Sequence, residues 1–121
     1  MYKKILTLLP LLLILFSLSV NPLIFDNSNS KYKILLQSRE FTPEIGLSPS
    51  SQNYINENSG LSRIHLLIQF NNILSNQEKL NLESKGIKVL DYIPNYAYLA
   101  SVDRSKLNEL SGNSIRTVES L

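Results

Sequence analysis

The succession of apolar segments between Arg63 and Glu119 limits the folds open to this chain more than any other feature. The segments that alternate or concentrate apolar side chains over the length of a β-strand are residues 64–70, 87–93, 96–102 and 114–119. Helix signals lie between the first and second of these, and between the third and fourth. The sequence therefore predicts an α+β fold, a ferredoxin-like βαββαβ open-faced sandwich whose four-stranded antiparallel sheet carries both helices on one face.

Local signals set the ends of the helices. Ser75 and Glu78 have the spacing of a capping box, in which the serine hydroxyl accepts from the Glu78 amide and the carboxylate reaches back. We expect this helix over residues 76–85, ended by Gly86 in the left-handed conformation. The second helix is assigned Asp103 or Ser105 as its cap, Leu107 and Leu110 as its apolar residues and Gly112 as its end.

Strand alternation divides the first strand between two faces of the sheet. The face covered by helices takes Ile64, Leu66, Ile68 and Phe70. The other face takes Arg63, His65, Leu67 and Gln69, with one set from the third strand, either Tyr96, Tyr98 and Ala100 or Ala97, Leu99 and Ser101. Both sets are partly apolar, and an exposed apolar patch on a small domain usually marks a partner site. The candidate residues of this partner-binding face are His65, Leu67, Tyr96 and Tyr98; the competing interpretation is that the tyrosine rings only cover the sheet.

Composition and charge exclude several classes of function. Beyond Val20, ten Lys or Arg residues balance ten Asp or Glu residues and are scattered along the chain. Nucleic acids require a concentrated basic face, so no nucleic-acid partner is predicted. The absence of cysteine excludes disulfides and thiolate metal sites. A domain over residues 61–121 would bury only about 60% of its unfolded surface, so its stability would be marginal without a partner.

Residues 1–25 form an apolar leader. Two lysines precede a nearly continuous apolar run, which is the pattern of a secretory signal peptide with a cleavage point after Ser19. The competing interpretation is an uncleaved membrane anchor over residues 5–25, because about 20 apolar residues suffice to span a bilayer. In either case, we expect a secreted or extracytoplasmic protein whose contact with a membrane is through this segment alone.

Residues 26–60 are rich in Asn, Ser and Pro. This composition predicts a flexible linker, because it buries too little apolar surface to offset chain entropy. One island interrupts it: residues 34–36 favour a short strand, and residues 42–44 favour a turn or helix start. The island is either an apolar patch within a linker or a strand that docks on a partner domain.

The residue types of a catalytic centre do not assemble in this sequence. His65 is the only histidine, and no Gly-x-Ser-x-Gly element supplies an activated serine for it. No second His or Cys is present to share a metal ion with it. The acidic residues typical of helix caps and solvated faces are Glu78, Glu83, Asp91, Asp103 and Glu109. We therefore predict no catalytic residue, no cofactor and no metal, and interpret the chain as a protein without enzymatic activity.

Several different short motifs lie along the predicted sandwich. They are Gln69-Phe70 at the end of a strand, Gly86-Ile87-Lys88, Asp91-Tyr92-Ile93-Pro94 and Ala97-Tyr98-Leu99, with Arg39-Glu40-Phe41-Thr42-Pro43-Glu44 upstream. In these motifs the chain resembles the propeptide-like N-terminal region of secreted subtilisin-type serine peptidases, over roughly residues 34–118. The Asp, His and Ser blocks of the peptidase domain are absent from the sequence, so the peptidase activity is not carried over.

The resemblance implies a chaperone-like propeptide that packs its open sheet face on a subtilisin-type peptidase domain. In such families a tail after the fourth strand can occupy the substrate cleft, and the residues up to Leu121 are too few to reach far into one. The favoured hypothesis is a truncated subtilase precursor with a prodomain-like module. The alternatives are a stand-alone secreted inhibitor or chaperone of a subtilase, and a membrane-tethered module with an unrelated protein partner.

Overall fold

A computed structural model describes residues 27–112 and 114–121. The strands are β1 (Ile34–Leu35), β2 (Glu40–Phe41), β3 (Gly46–Leu47), β4 (Arg63–Phe70), β5 (Ile87–Ile93), β6 (Ala97–Asp103) and β7 (Ile115–Glu119). The helices are α1 (Pro49–Glu57) and α2 (Asn76–Ser84), with 3-10 helices at Asn27–Tyr32 and Arg104–Ser111. The leader predicted for residues 1–25 lies outside the described residues. Among the residues described, no helix is both long and apolar enough to cross a membrane.

The main sheet has the strand order β3-β7-β4-β6-β5. Antiparallel ladders join β4 to β6, β4 to β7 and β5 to β6, whereas β3 runs parallel to β7. The α+β class is therefore confirmed, but the prediction of a purely antiparallel four-stranded sheet is wrong. Strand β3 is only two residues long, which is too short to produce a periodic pattern that sequence reasoning can detect.

Both α-helices and the second 3-10 helix pack on one face of the sheet. From β4, this face receives Ile64, Leu66, Ile68 and Phe70, as the alternation predicts, and all four are buried. Ile55 of α1 and Leu110 of the 3-10 helix are buried against them, and Leu82 of α2 is partly buried there. The apolar core is therefore continuous from the sheet into all three helices.

The signals at the ends of α2 are confirmed. The Glu78 amide donates to Ser75 Oγ at 3.2 Å, and the Ser75 amide donates to Glu78 Oε2 at 2.7 Å. Gly86 has a φ of +84°, which is the left-handed region where a side chain is strained. A Cβ at this position would also lie 2.8 Å from Lys106 Cγ.

The second predicted helix takes the 3-10 form rather than the α form. Asp103 is its cap, and its carboxylate accepts from the Ser105 amide at 2.9 Å. The backbone breaks at Lys106, with φ of −116° and ψ of 18°. Leu110 is buried in the core.

Residues 27–60, which the composition assigns to a flexible linker, contain helix α1, three short strands and a 3-10 helix. Polar contacts attach α1 to the sheet: the buried Ser51 hydroxyl donates to the carbonyl of Val118 at 3.1 Å. The Arg104 guanidinium donates to the carbonyls of Ile55 and Asn58 at 3.1 and 3.0 Å. Apolar periodicity does not predict a helix that is attached by polar contacts of this kind.

Candidate functional site

The sheet face turned away from the helices, called here the second face, is the candidate site. Directly paired residues of antiparallel strands share a face, so the register assigns its members. They are Arg63, His65, Leu67 and Gln69 of β4, Ala97, Leu99 and Ser101 of β6, Lys88, Asp91 and Ile93 of β5, and Thr117 and Glu119 of β7. Of the two sets left open by the sequence, the one containing Ala97, Leu99 and Ser101 lies on this face.

The predicted partner-binding residues do not form one surface. His65 is exposed on the second face. Leu67 shares that face but is only 1% exposed. Tyr98 pairs with Ile68 and therefore faces the helices, where it is 2% exposed. Tyr96 lies in the turn before β6 with a φ of +67°, and its ring centroid is 6.0 Å from that of Tyr32.

Tyr98 is a structural residue of the core. Its hydroxyl accepts a hydrogen bond from the Leu74 amide at 3.1 Å, inside the helix layer. Its ring meets Phe70 edge-on, with centroids 5.7 Å apart. Assignment of Tyr98 to the partner-binding face is wrong. Tyr98 pairs with Ile68 on the helix face of the sheet, whereas its neighbour Leu99 pairs with Leu67 on the second face.

Residues 31–43, called here the strap, cover one half of the second face. Strands β1 and β2 pair within the strap, and Ile34 is fully buried against Leu67 and Ala97. Leu36, Phe41 and Ile93 are partly buried against this second apolar cluster. The strand predicted for residues 34–36 is thus present at Ile34–Leu35. It packs through Ile34 on the main sheet of this chain rather than on a separate domain.

The strap is also held by a buried amide. Gln69 is fully buried, and its Nε2 donates to the carbonyls of Tyr32 at 2.9 Å and Asn95 at 2.8 Å. The side-chain amide of Asn95 in turn donates to the carbonyl of Lys33 at 2.5 Å. Because each of these donors satisfies a backbone carbonyl, the strap and the β5–β6 turn are fixed on the end of β4.

Arg116 lies in β7, which pairs with β4 on the side opposite β6, and it connects the strap to that strand. Its Nη1 donates to Gln69 Oε1 at 3.1 Å and to the carbonyl of Pro43 at 3.3 Å. Its guanidinium carbon also lies 4.1 Å from the ring centroid of Tyr32. The sequence does not predict the contacts of Gln69 with Asn95 and Arg116, because no periodicity relates residues this far apart in the chain.

The other half of the second face is uncovered, and we call it the open patch. Its residues are Arg63, His65, Lys88, Asp91 and Leu99. All are exposed except Leu99, which is half-buried. The open patch therefore has one half-buried apolar residue beside charged and polar groups of both signs.

Arg63 is fixed at one end of the open patch. Its Nε donates to Ser101 Oγ at 2.8 Å, and its Nη2 donates to the Ser101 carbonyl at 2.8 Å. The His65 imidazole next to it makes no hydrogen bond within the part of the chain that the structure describes. Within the same part, no group of three or more His, Cys, Asp or Glu residues is placed to hold a metal ion.

A groove of about 610 Å³ lies between the strap and the end of β7. It is lined by Leu36, Ser38, Arg39, Phe41, Ser50, Glu119, Ser120 and Leu121. The Glu119 carboxylate accepts from Ser48 Oγ at 2.9 Å, which attaches the start of α1 to the end of β7. The groove therefore borders the second face along the junction of the strap and α1.

A family model described as Domain of unknown function (DUF8729) matches residues 35–121. The match begins within β1 and includes the remainder of the strap, α1 and the main sheet. No curated protein and no solved structure matches the chain.

Proposed function

Because the chain belongs to the family described as Domain of unknown function (DUF8729), we propose its function from the geometry of the second face. The proposal is that the chain is a non-catalytic, exported, prodomain-like module that docks on a subtilisin-type serine peptidase domain. The open patch is the surface that would make the contact. The proposal applies whether the peptidase domain belongs to the same precursor or to a separate protein.

The strand order supports the ferredoxin-like interpretation of this module. From β4 to β7, the chain runs strand, α-helix, strand, strand, 3-10 helix, strand, and the sheet order of these strands is β7-β4-β6-β5. A ferredoxin-like sandwich has this succession, with its helices on one face. Strand β3, helix α1 and the strap are additions to it.

The motifs that carry the resemblance to subtilase propeptides occupy positions that determine this fold. Gln69 fixes the strap, Gly86 takes the positive φ between α2 and β5, and Tyr98 connects the sheet to the helix layer. Residues of this kind support a shared scaffold. The resemblance in these motifs is what favours a peptidase as the partner. The exposure of the open patch is what favours it as the contact surface.

The observation that carries the proposal is the unequal coverage of the second face. The strap buries Leu67 and Ala97, whereas His65 and Leu99 on the same strands remain accessible. The strap covers one half of the face, and the other half keeps Leu99 partly accessible among polar groups. An apolar residue left accessible on a sheet face supports contact with a protein partner. The charge of Arg63, which Ser101 holds at one end of the patch, would help to orient that partner.

Binding of the full chain to a subtilisin-type peptidase domain whose nucleophilic serine is replaced by alanine tests the proposal. His65→Glu places a charge in the open patch, and Gln77→Glu makes the same change in charge on exposed α2. We expect saturable binding that His65→Glu weakens by about tenfold or more, equivalent to about 1.4 kcal/mol, and that Gln77→Glu leaves unchanged. Absence of binding, or equal effects of the two substitutions, would overturn the proposal.

A further inference from the structure

Strand β5 forms one edge of the main sheet. In the described part of the chain it pairs with β6 alone, so the backbone groups along its outer side have no strand partner. The strand is seven residues long, and its side chains Leu90 and Tyr92 are 42% and 51% exposed. A long edge with exposed apolar side chains is a template for pairing with another strand.

A bulge in β5 changes which of its residues share a face. The register shifts between Val89 and Asp91, so Leu90 is the extra residue. As a result Lys88, which pairs with Ser101, and Asp91, which pairs with Leu99, both lie on the second face. In a regular strand, residues three apart would point to opposite faces.

We propose that the β5 edge is the interface of a homodimer, in which β5 pairs antiparallel with β5 of a second copy of this chain. The twofold axis would pass between Val89 and Leu90. Each Lys88 would then lie opposite Asp91 of the second copy, so the interface contains two symmetric ion pairs. The two sheets would join into one continuous sheet of ten strands.

The register of this pairing follows from the faces of the side chains. Opposite residues of an antiparallel pair must lie on the same face. Pairing of Lys88 with Asp91 meets this condition on the second face, and Ile87 with Tyr92 meets it on the helix face, where Tyr92 contacts the Tyr98 ring. Centring the pair on Leu90 instead would place Lys88 opposite Tyr92, on the wrong face.

Charge complementarity selects a second copy as the occupant of this edge. Neither Lys88 nor Asp91 forms an ion pair within the described residues. Their charges have opposite sign, and the bulge places both on the second face, as pairing about a twofold axis requires. The competing interpretation is that Lys88 and the bulge protect a solitary edge against association, and that interpretation predicts a monomer.

Charge reversal in the full chain distinguishes the homodimer from a monomer with a protected edge. Lys88→Asp and Asp91→Lys each replace two attractive pairs with two like-charge pairs, so each variant alone should dimerise at least about tenfold more weakly. An equimolar mixture of the two variants restores opposite charges at both pairs, and it should form a heterodimer with the affinity of the wild type. Glu83→Lys on α2 is the matched control for Asp91→Lys and should leave self-association unchanged.

Cysteine cross-linking tests the register independently of any association through other segments. The chain has no cysteine, so Lys88→Cys and Asp91→Cys each introduce a unique thiol. A mixture of the two variants should cross-link at least about tenfold faster than Lys88→Cys alone, because directly opposite residues bring Cβ atoms to about 5 Å. Monomeric wild type, failure of the mixed charge variants to associate, or equal cross-linking rates would overturn the proposal and leave β5 as a solvent-facing edge.

Discussion

The side-chain amide of Gln69 lies 2.9 Å from the carbonyl of Tyr32, and this hydrogen bond joins the end of the central strand to the strap. It explains why half of the second face is closed, because the strap that it fixes places Ile34 over Leu67. The face therefore consists of a region committed to internal packing and an open patch around His65. The proposed docking function concerns the second region alone.

We expect Ile34→Ala to lower the free energy of unfolding by about 2–4 kcal/mol, because it removes a fully buried side chain from the cluster beneath the strap. Leu35→Ala, at the adjacent exposed position of β1, is the matched control and should cost less than about 1 kcal/mol. Chemical denaturation of both variants measures the difference. Equal small effects would show that the strap does not contribute to the stability of the sheet.

Substitution of Gly86 by alanine should destabilise the fold by at least about 1–2 kcal/mol, the cost of a left-handed conformation for a residue with a Cβ. The contact with Lys106 adds to this cost, since the new Cβ would lie 2.8 Å from Cγ. Gly60→Ala is the control, because no atom lies within 4 Å of a Cβ built at that position. A thermal denaturation midpoint for Gly86→Ala equal to that of Gly60→Ala would contradict this account of the α2–β5 junction.

The capping box of α2 makes the free energy of unfolding depend on pH. Hydrogen bonds from the Ser75 amide and then the Ser75 hydroxyl hold the pKa of Glu78 below its ordinary value of 4.5. A carboxyl whose folded pKa is lowered stabilises the fold above its unfolded pKa, and this stabilisation is lost as the pH falls through the folded pKa. The wild type should therefore lose stability relative to Glu78→Gln as the pH is lowered below 4.5. Unfolding curves recorded through this acid range measure the effect, and a constant difference between the two proteins would contradict it.

The buried hydroxyl of Thr117 allows a prediction of a substitution that stabilises the fold. The residue is fully buried, and its hydroxyl has no hydrogen-bond partner among the described residues. Thr117→Val removes this unsatisfied group and should raise the free energy of unfolding by about 1 kcal/mol. Thr117→Ser, which keeps the hydroxyl and removes a methyl group, should be less stable than the wild type. Destabilisation by Thr117→Val would mean that the hydroxyl has a partner in solution.

The sequence predicted the parts of the fold that depend on local signals. Alternation assigned Ile64, Leu66, Ile68 and Phe70 to the helix face, and the capping residue Ser75 and Gly86 defined the ends of α2. The parts that it missed depend on contacts between distant segments. Helix α1 is attached through Ser51 and Arg104, and the strap through Gln69 and Arg116, and neither polar arrangement produces a periodic pattern.

The candidate site was predicted only in part, for a related reason. The sequence placed His65 and Leu67 on one face of the sheet, and the register confirms that placement. Alternation alone left the phase of the third strand open, so Tyr98 was assigned to the wrong face. The sequence also did not predict that Ile34 covers Leu67. Ile34 lies in a segment whose composition predicts a flexible linker.

The single histidine provides the most direct test of the docking proposal. His65 is exposed in the open patch and is the only histidine in the chain, so ¹³C-labelling at histidine gives one imidazole signal. Titration with an unlabelled subtilisin-type peptidase domain, inactivated at its nucleophilic serine, should shift or broaden this signal in a saturable manner. A signal that stays unchanged throughout the titration would contradict docking through the open patch.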